Sequence, residues 1–233
     1  MISEFYKEYM SEIYARAGSK EDFAEEQFTE EMCEFLVEQA IIENYDSCFF
    51  AKTRQGIRVD AWNYNKDKQE LCLLIADFNV DEEIHTLSQS DVETIFKRAE
   101  RFFKKAADSS FYIELEESLP IYSVARDISE NINQITKVRF ILITNSLLSD
   151  RFKGFESRKV EGYNAVYDIW DINRRARIEE SGREKEDIII DFTSFVPGGI
   201  KYLEAYTGSE STKSYLLAFP GYMIAQIYDE YGE

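Results

Sequence analysis

Residues 56–79 read "GIRVDAWNYNKDKQELCLLIADFN" and decide how the rest of the chain is understood. Two runs rich in β-branched and aromatic residues flank the polar "NKDKQ", which predicts two strands joined by a hairpin turn. With the two-residue period of a strand, Ile57, Val59 and Ala61 share one face while Arg58, Asp60 and Trp62 share the other. On the second strand Leu73, Ile75 and Asp77 oppose Leu74, Ala76 and Phe78. Asp60 therefore stands near the start of the first strand and Asp77 near the end of the second. Oxygen ligands from two such carboxylates are one way to hold a divalent cation.

Working outward, residues 48–54 form a preceding strand, with Gly56 at the turn between them. Further upstream, Phe5, Tyr6, Tyr9, Ile13 and Tyr14 recur at helical spacing, which predicts an amphipathic helix over 3–17. A second helix is expected over 24–42. Its last turns, "MCEFLVEQAII", are apolar nearly all round, so it belongs inside the fold. Glu34 and Glu38 interrupt that run. A buried carboxylate is costly unless it is paired or bound to an ion, which makes Glu38 a third candidate acid. The alternative is a glutamate reaching solvent from the helix edge.

Downstream, "SQSDVETIFKRAERFFKKA" predicts a helix opened by a capping box from Ser90 to Glu93, with Val92, Ile95, Phe96, Ala99, Phe102 and Phe103 on one stripe. "LPIYSVARDISENI" predicts another, with Pro120 in its first turn. "KVRFILITN" then reads as a buried strand. A strand reached through a helical crossover lies parallel to its partner, so the sheet is expected to be mixed. Beyond residue 150, "YNAVYDIWDINRRARIEES" predicts a strand running into a helix, with Trp170 and Asp171 in structural roles. "EDIIIDF", "IKYLEAY" and "KSYLLAFP" predict strands, and Pro220 and Gly221 fix a turn into a last helix, "GYMIAQIYDEYGE". Because the chain stops inside that helix without a cap, the sequence is expected to be the front portion of a longer protein.

Charge narrows the function classes. Forty-five acids against 27 bases give a net charge of −18, which repels a phosphate backbone overall. Two basic groups run against this: Lys97, Arg98, Arg101, Lys104 and Lys105 on the predicted capped helix, and Arg174, Arg175 and Arg177 in "NRRAR". Cys33, Cys48 and Cys72 show no metal-ligand spacing and read as reduced, buried thiols. His85 is the only histidine and lies in a polar loop, so zinc binding and Ser-His or Cys-His catalysis are not expected. No apolar run reaches the roughly 20 residues of a membrane helix, and the N-terminus lacks a secretion signal, so a cytoplasmic protein without membrane contact is expected.

A helix with an acid, meandering strands with an aspartate, then helix and strand resembles the core of the PD-(D/E)XK, or restriction-endonuclease-like, nucleases. The wording of three segments, "GIRVDAWNYNKDKQELCLLIADF", "VYDIWDINRRAR" and "SYLLAFPGYMIAQIYDEYG", is similar in kind and order to the N-terminal part of the AIPR family, the abortive infection phage resistance proteins. The resemblance spans residues 56–232. It implies an α/β fold in which helices flank a mixed sheet. It divides the chain into an N-terminal helix (1–21), a PD-(D/E)XK-like core (22–155) and a C-terminal α/β segment (156–233), the family continuing further.

Aligned without gaps, the family's aspartate falls on Asp60, its third-strand acid or glutamine on Ile75 and its lysine on Asp77. In a working site the carboxylates share a divalent ion, usually magnesium, and the lysine helps to activate water. Ile75 cannot ligate a metal, and Asp77 has the opposite charge to a lysine. The resemblance therefore implies anti-phage defence by a nuclease-like domain lacking the usual catalytic pair. Such a domain would serve recognition or assembly, with another protein or further parts of its own chain as partner and no cofactor. One alternative is an active nuclease in which Glu38, Asp60 and Asp77 are both catalytic groups and ligands to Mg²⁺ or Mn²⁺, while Arg98, Arg101, Lys104 and Lys105 contact nucleic acid. A second is an acidic module that binds other proteins.

Overall fold

The computed structural model describes residues 2–20, 23–183, 200–205, 214–218 and 220–224. Two compact units divide the chain, Met1–Glu180 and Ser181–Glu233. The first opens with helices α1 (Ile2–Lys20) and α2 (Ala24–Glu38), followed by strands β1 (Asp46–Lys52), β2 (Ile57–Asn65) and β3 (Glu70–Asp77). A two-residue strand β4 (Thr86–Leu87) leads into helices α3 (Gln89–Ala106), α4 (Ser109–Ile113) and α5 (Pro120–Asn131). Strands β5 (Lys137–Thr144), β6 (Leu147–Leu148), β7 (Arg158–Val160) and β8 (Tyr163–Trp170) follow, and helix α6 (Ile172–Arg183) begins directly after β8. In the second unit, β9 (Tyr202–Ala205) and β10 (Ser214–Leu217) form an antiparallel pair, and residues 221–224 are helical. The strand expected from "EDIIIDF" lies outside the described residues.

Six strands make one sheet in the order β1-β2-β3-β5-β8-β7. Its β1–β2–β3 meander is antiparallel, and β5 joins β3 in parallel after the crossover through α3, α4 and α5, so the sheet is mixed as that crossover predicts. Strand β8 joins β5 in parallel through a connection that holds β6 and β7 but no helix. Alternation along β3 builds both cores at once. Leu71, Leu73 and Ile75 pack with α3 and α5 on one side, among Phe96, Phe102, Phe103 and Val124. Cys72, Leu74 and Ala76 pack with α1 and α2 on the other, among Tyr6, Phe28, Met32 and Leu36. Each large apolar side chain buried in this way contributes about 1.5–3 kcal/mol, so the sheet is held by helices on both faces. All three cysteines are free thiols and buried. No helix among the described residues is long and apolar enough to cross a membrane.

Three local expectations are corrected. Helix α2 ends at Glu38 rather than running to residue 42. Ala40 turns into the left-handed region (φ +56°), its N–H reaches Val37 O, and the Ile41 N–H reaches Leu36 O. This is a Schellman ending, which folds Ile42 back into the core. Glu38 consequently sits on an exposed last turn instead of in an apolar interior. Helix α3 is capped by Ser88 with Asp91, not by Ser90 with Glu93. The Asp91 N–H donates to the Ser88 hydroxyl, and the Ser88 N–H donates to the Asp91 carboxylate. Lastly, β2 does not alternate throughout. Val59 and Trp62 both pack on the α3 side while Ala61 packs on the α2 side, so the pattern slips at Asp60–Ala61. Opposite the slip, β1 carries a bulge between Ser47 and Phe50, with Phe49 at φ +41°.

Candidate functional site

The slip in β2 decides where Asp60 points. Backbone pairing with β3 runs from Asn65↔Glu70 only as far as Ala61↔Leu74. One residue beyond, the Ala76 N–H of β3 donates to Asp60 Oδ2 at 2.7 Å, so a side chain takes over where the strand ladder stops. Arg58, two residues earlier on the same strand face, places Nε 2.8 and 3.1 Å from the two carboxylate oxygens of Asp60. Its Nη2 donates to Glu25 in the first turn of α2 at 2.5 Å. Asp60 is only 3% exposed. A carboxylate buried to that degree needs compensating partners, and here they are one guanidinium and one peptide N–H.

The electrostatics follow from this geometry. Burial pushes the Asp60 carboxyl above the usual range. The charge and hydrogen bonds of Arg58 and the Ala76 N–H pull it down without cancelling that rise. Burial disfavours the charge on Arg58, yet Asp60 and Glu25 outweigh it and hold the guanidinium more firmly protonated than usual. The cluster is thus an acid–cation–acid bridge, Glu25–Arg58–Asp60, linking α2 to β2.

Asp77 lies elsewhere. The ladder between β3 and β5 is unbroken from Glu70↔Lys137 to Asp77↔Thr144, so Asp77 follows Leu73 and Ile75 onto the α3 side. There it accepts the Thr144 hydroxyl at 3.1 Å. Burial raises its carboxyl too, opposed by Thr144 and by the charges of Arg58 and Arg98. Ile75 is fully buried. Beyond the strand, Asn145 clamps the backbone of Asn79, accepting its N–H at 2.8 Å and donating to its carbonyl at 2.7 Å. The expected trio of Glu38, Asp60 and Asp77 is not brought together: one is exposed at a helix end, one faces α2 and one faces α3. Among the described residues no group of three His, Cys, Asp or Glu side chains is disposed to hold a metal ion. Beside Asp60 the Arg58 guanidinium lies between its carboxylate and that of Glu25, so these two acids share a fixed cation.

The sequence pattern marks neither Glu25 nor a role for Arg58. Arg58 and Asp60, two apart on a strand, were visible as a same-face pair. Glu25 lies 33 residues from Arg58, and no local pattern announces that pairing. The two basic groups also part ways. Arg174 donates to Asp168 at 2.9 Å and lies 3.6 Å over the Trp170 ring, while Arg175 pairs with Glu31 and Glu179. These arginines tie α6 to β8 and α2. Burial acts to raise Asp168, but Arg139, Arg174 and the Trp170 N–H bring it below the usual carboxylate range. Asp171 accepts the Arg174 and Leu148 N–H groups, which starts α6 and anchors β6. The "YDIWDINRR" segment is therefore structural. On α3, by contrast, Arg98, Arg101, Lys104 and Lys105 are exposed. His85 is exposed and pairs with Asp81 at 2.6 Å.

Comparison with curated proteins finds no match, and comparison with solved structures finds none. A family model does match, over residues 28–177, from the second turn of α2 through the structural arginines of α6. That stretch holds all six strands of the main sheet, Arg58, Asp60 and Asp77. The chain belongs to the AIPR_N family, the N-terminal domain of abortive infection phage resistance proteins, and with it to anti-phage defence in general terms.

Proposed function

We propose that this domain keeps a nuclease-like framework but has given up phosphodiester hydrolysis, and serves recognition or assembly within the defence response. One observation supports this above others: Asp60 is committed on both oxygens to Arg58 and the Ala76 N–H. A divalent ion needs several oxygen ligands with free lone pairs, typically six. Here its position beside Asp60 is taken by a fixed cation that adds stability and no Lewis acidity. With Ile75 and Asp77 at the two positions where the related nucleases carry a ligand and a lysine, neither a second ligand nor a water-activating amine is at hand. The partner this reading calls for is another protein or a further part of the same polypeptide.

The test is direct. Purified protein is incubated with single- and double-stranded DNA and RNA in Mg²⁺ or Mn²⁺, beside an Asp60→Ala control. The expected result is no cleavage above the control. Metal-dependent cleavage that disappears in Asp60→Ala would overturn the proposal in favour of an active site built on an atypical acid cluster.

A further inference from the structure

Away from Asp60, an open cavity of about 360 Å³ lies where the last turns of α3 meet the short 3₁₀ turn Thr53–Gln55 and α4. Gln55, Arg101, Lys104, Lys105 and Phe111 contribute to its wall. We infer that this cavity binds an organic phosphate, a phosphomonoester of roughly mononucleotide size.

The charges around it are arranged in a way that an anion completes. The ammonium groups of Lys52 and Lys105 lie 5.7 and 5.8 Å from the centroid of the same ring, Phe111. Each gains from the ring face, and together they raise the positive potential beside the cavity. Arg101 adds the recognition element. Its guanidinium lies over Gly56, where a Cβ would overlap Nη1, and Gly56 itself is left-handed at φ +61°. The missing side chain is what lets the fork lie across the turn at the cavity wall. No carboxylate among the described residues pairs with Arg101, although the chain carries 45 acids to 27 bases. A planar guanidinium matches two phosphate oxygens at once.

The acids nearby do not cancel this. Asp108 accepts the Ser110 N–H at 2.9 Å and is held below the usual range by Ser110. Lys104 pairs with Glu161 at 2.7 Å, so on the cavity wall Asp108 and Glu114 stand against Arg101 and Lys105, and Lys52 beside Phe111 tips the balance to positive. Size and surroundings favour a small ligand over a strand. The volume falls at the lower end of small-molecule pockets, about 300–1,000 Å³. A strand requires a basic track, yet along α3 Lys97 is tied to Glu93 and Glu100 to Arg158.

Calorimetric titration of the full chain with AMP, inorganic phosphate and a short single-stranded oligonucleotide tests the inference. Saturable AMP binding, tighter than phosphate, is expected. Arg101→Met and Lys105→Met keep the side-chain stems, and each should weaken AMP by roughly tenfold or more, the loss of a charged hydrogen bond. Melting temperatures should stay unchanged. Arg126→Met, which removes an arginine paired with Glu130 outside the cavity, should bind AMP like the natural chain. The inference is overturned by an absence of saturable AMP binding, by equal affinity for phosphate, by tighter binding of the oligonucleotide, or by equal loss in Arg126→Met.

Discussion

Asp60 depends on Arg58 for its charge, because its other partner is a single peptide N–H, whereas Arg58 stays charged and also holds Glu25. Removing one side of such a pair leaves an uncompensated charge, which costs about 3–5 kcal/mol in a closed interior. Arg58→Met should therefore lose about 3 kcal/mol at neutral pH, towards the low end because Arg58 keeps 21% of its side chain exposed. The loss should depend on pH with a definite sign. Burial already sets the folded Asp60 carboxyl above its unfolded value, and Arg58 is the main force holding it down. Without Arg58 it rises further. A carboxyl raised in the folded state binds its proton more tightly there, so its penalty is full above the folded value and fades as the pH falls through it. Urea denaturation at neutral and mildly acidic pH checks this: the gap between Arg58→Met and the natural chain should narrow towards acid. The double variant Arg58→Met/Asp60→Asn should recover much of the loss at neutral pH. A pH-independent gap would mean that Arg58 acts by packing alone. At this scale the sequence showed the acid and the strand but not the partner. The strand slip that turns Asp60 towards α2 has no residue signature, since "VDAW" fits either face.

Helix ends are where sequence pattern and structure differ most, and each difference has a physical cause that can be measured. The sequence predicts that helix α2 runs on, because "QAII" contains no glycine, the usual mark of a Schellman ending. Tertiary burial of Ile42 stops it regardless, at the cost of placing Ala40 at φ +56°. A left-handed alanine costs about 1–2 kcal/mol relative to its favoured conformations. Ala40→Gly should therefore stabilise the protein, by about 0.5–1 kcal/mol once the added freedom of the unfolded chain is set against the relief. A drop in the urea midpoint would show that the turn is not strained. At α3, two serines separated by one residue offered two capping frames, and "SDVE" is the better match to the usual motif. The structure uses Ser88. Ser88→Ala should cost about 1 kcal/mol, the usual value of an N-cap, whereas Ser90→Ala should stay within about 0.5 kcal/mol. Equal losses in the two variants would contradict the assigned cap. The stripe of α3 itself was fully legible: Val92, Ile95, Phe96, Ala99, Phe102 and Phe103 are all buried. Its spacing follows from helix geometry alone and needs no knowledge of what it packs against.

For the molecule as a whole, the mixed sheet follows from chain order at β5, because its helical crossover dictates a parallel pairing, whereas β8 pairs in parallel through a connection without a helix. The pairing of distant charges did not, since it depends on helices meeting strands far away in sequence, as Arg175 of α6 meets Glu31 of α2. Those internal pairs also separate two electrostatic effects of opposite sign. Arg58–Asp60 and Arg175–Glu31 are largely shielded from solvent, so salt screens them little. Among the described residues most carboxylates are instead exposed, and in a chain of net charge −18 they repel one another in the compact state. Raising salt from about 0.02 M to about 0.3 M shortens the screening length from roughly 20 Å to under 10 Å. It should therefore relieve the repulsion more than it weakens the buried bridges. Scanning calorimetry at pH 7 should show the melting temperature rising by a few degrees over that range. A fall would mean that exposed pairs such as Lys68–Glu43 and Lys104–Glu161 hold the fold more strongly than the excess of acids opposes it.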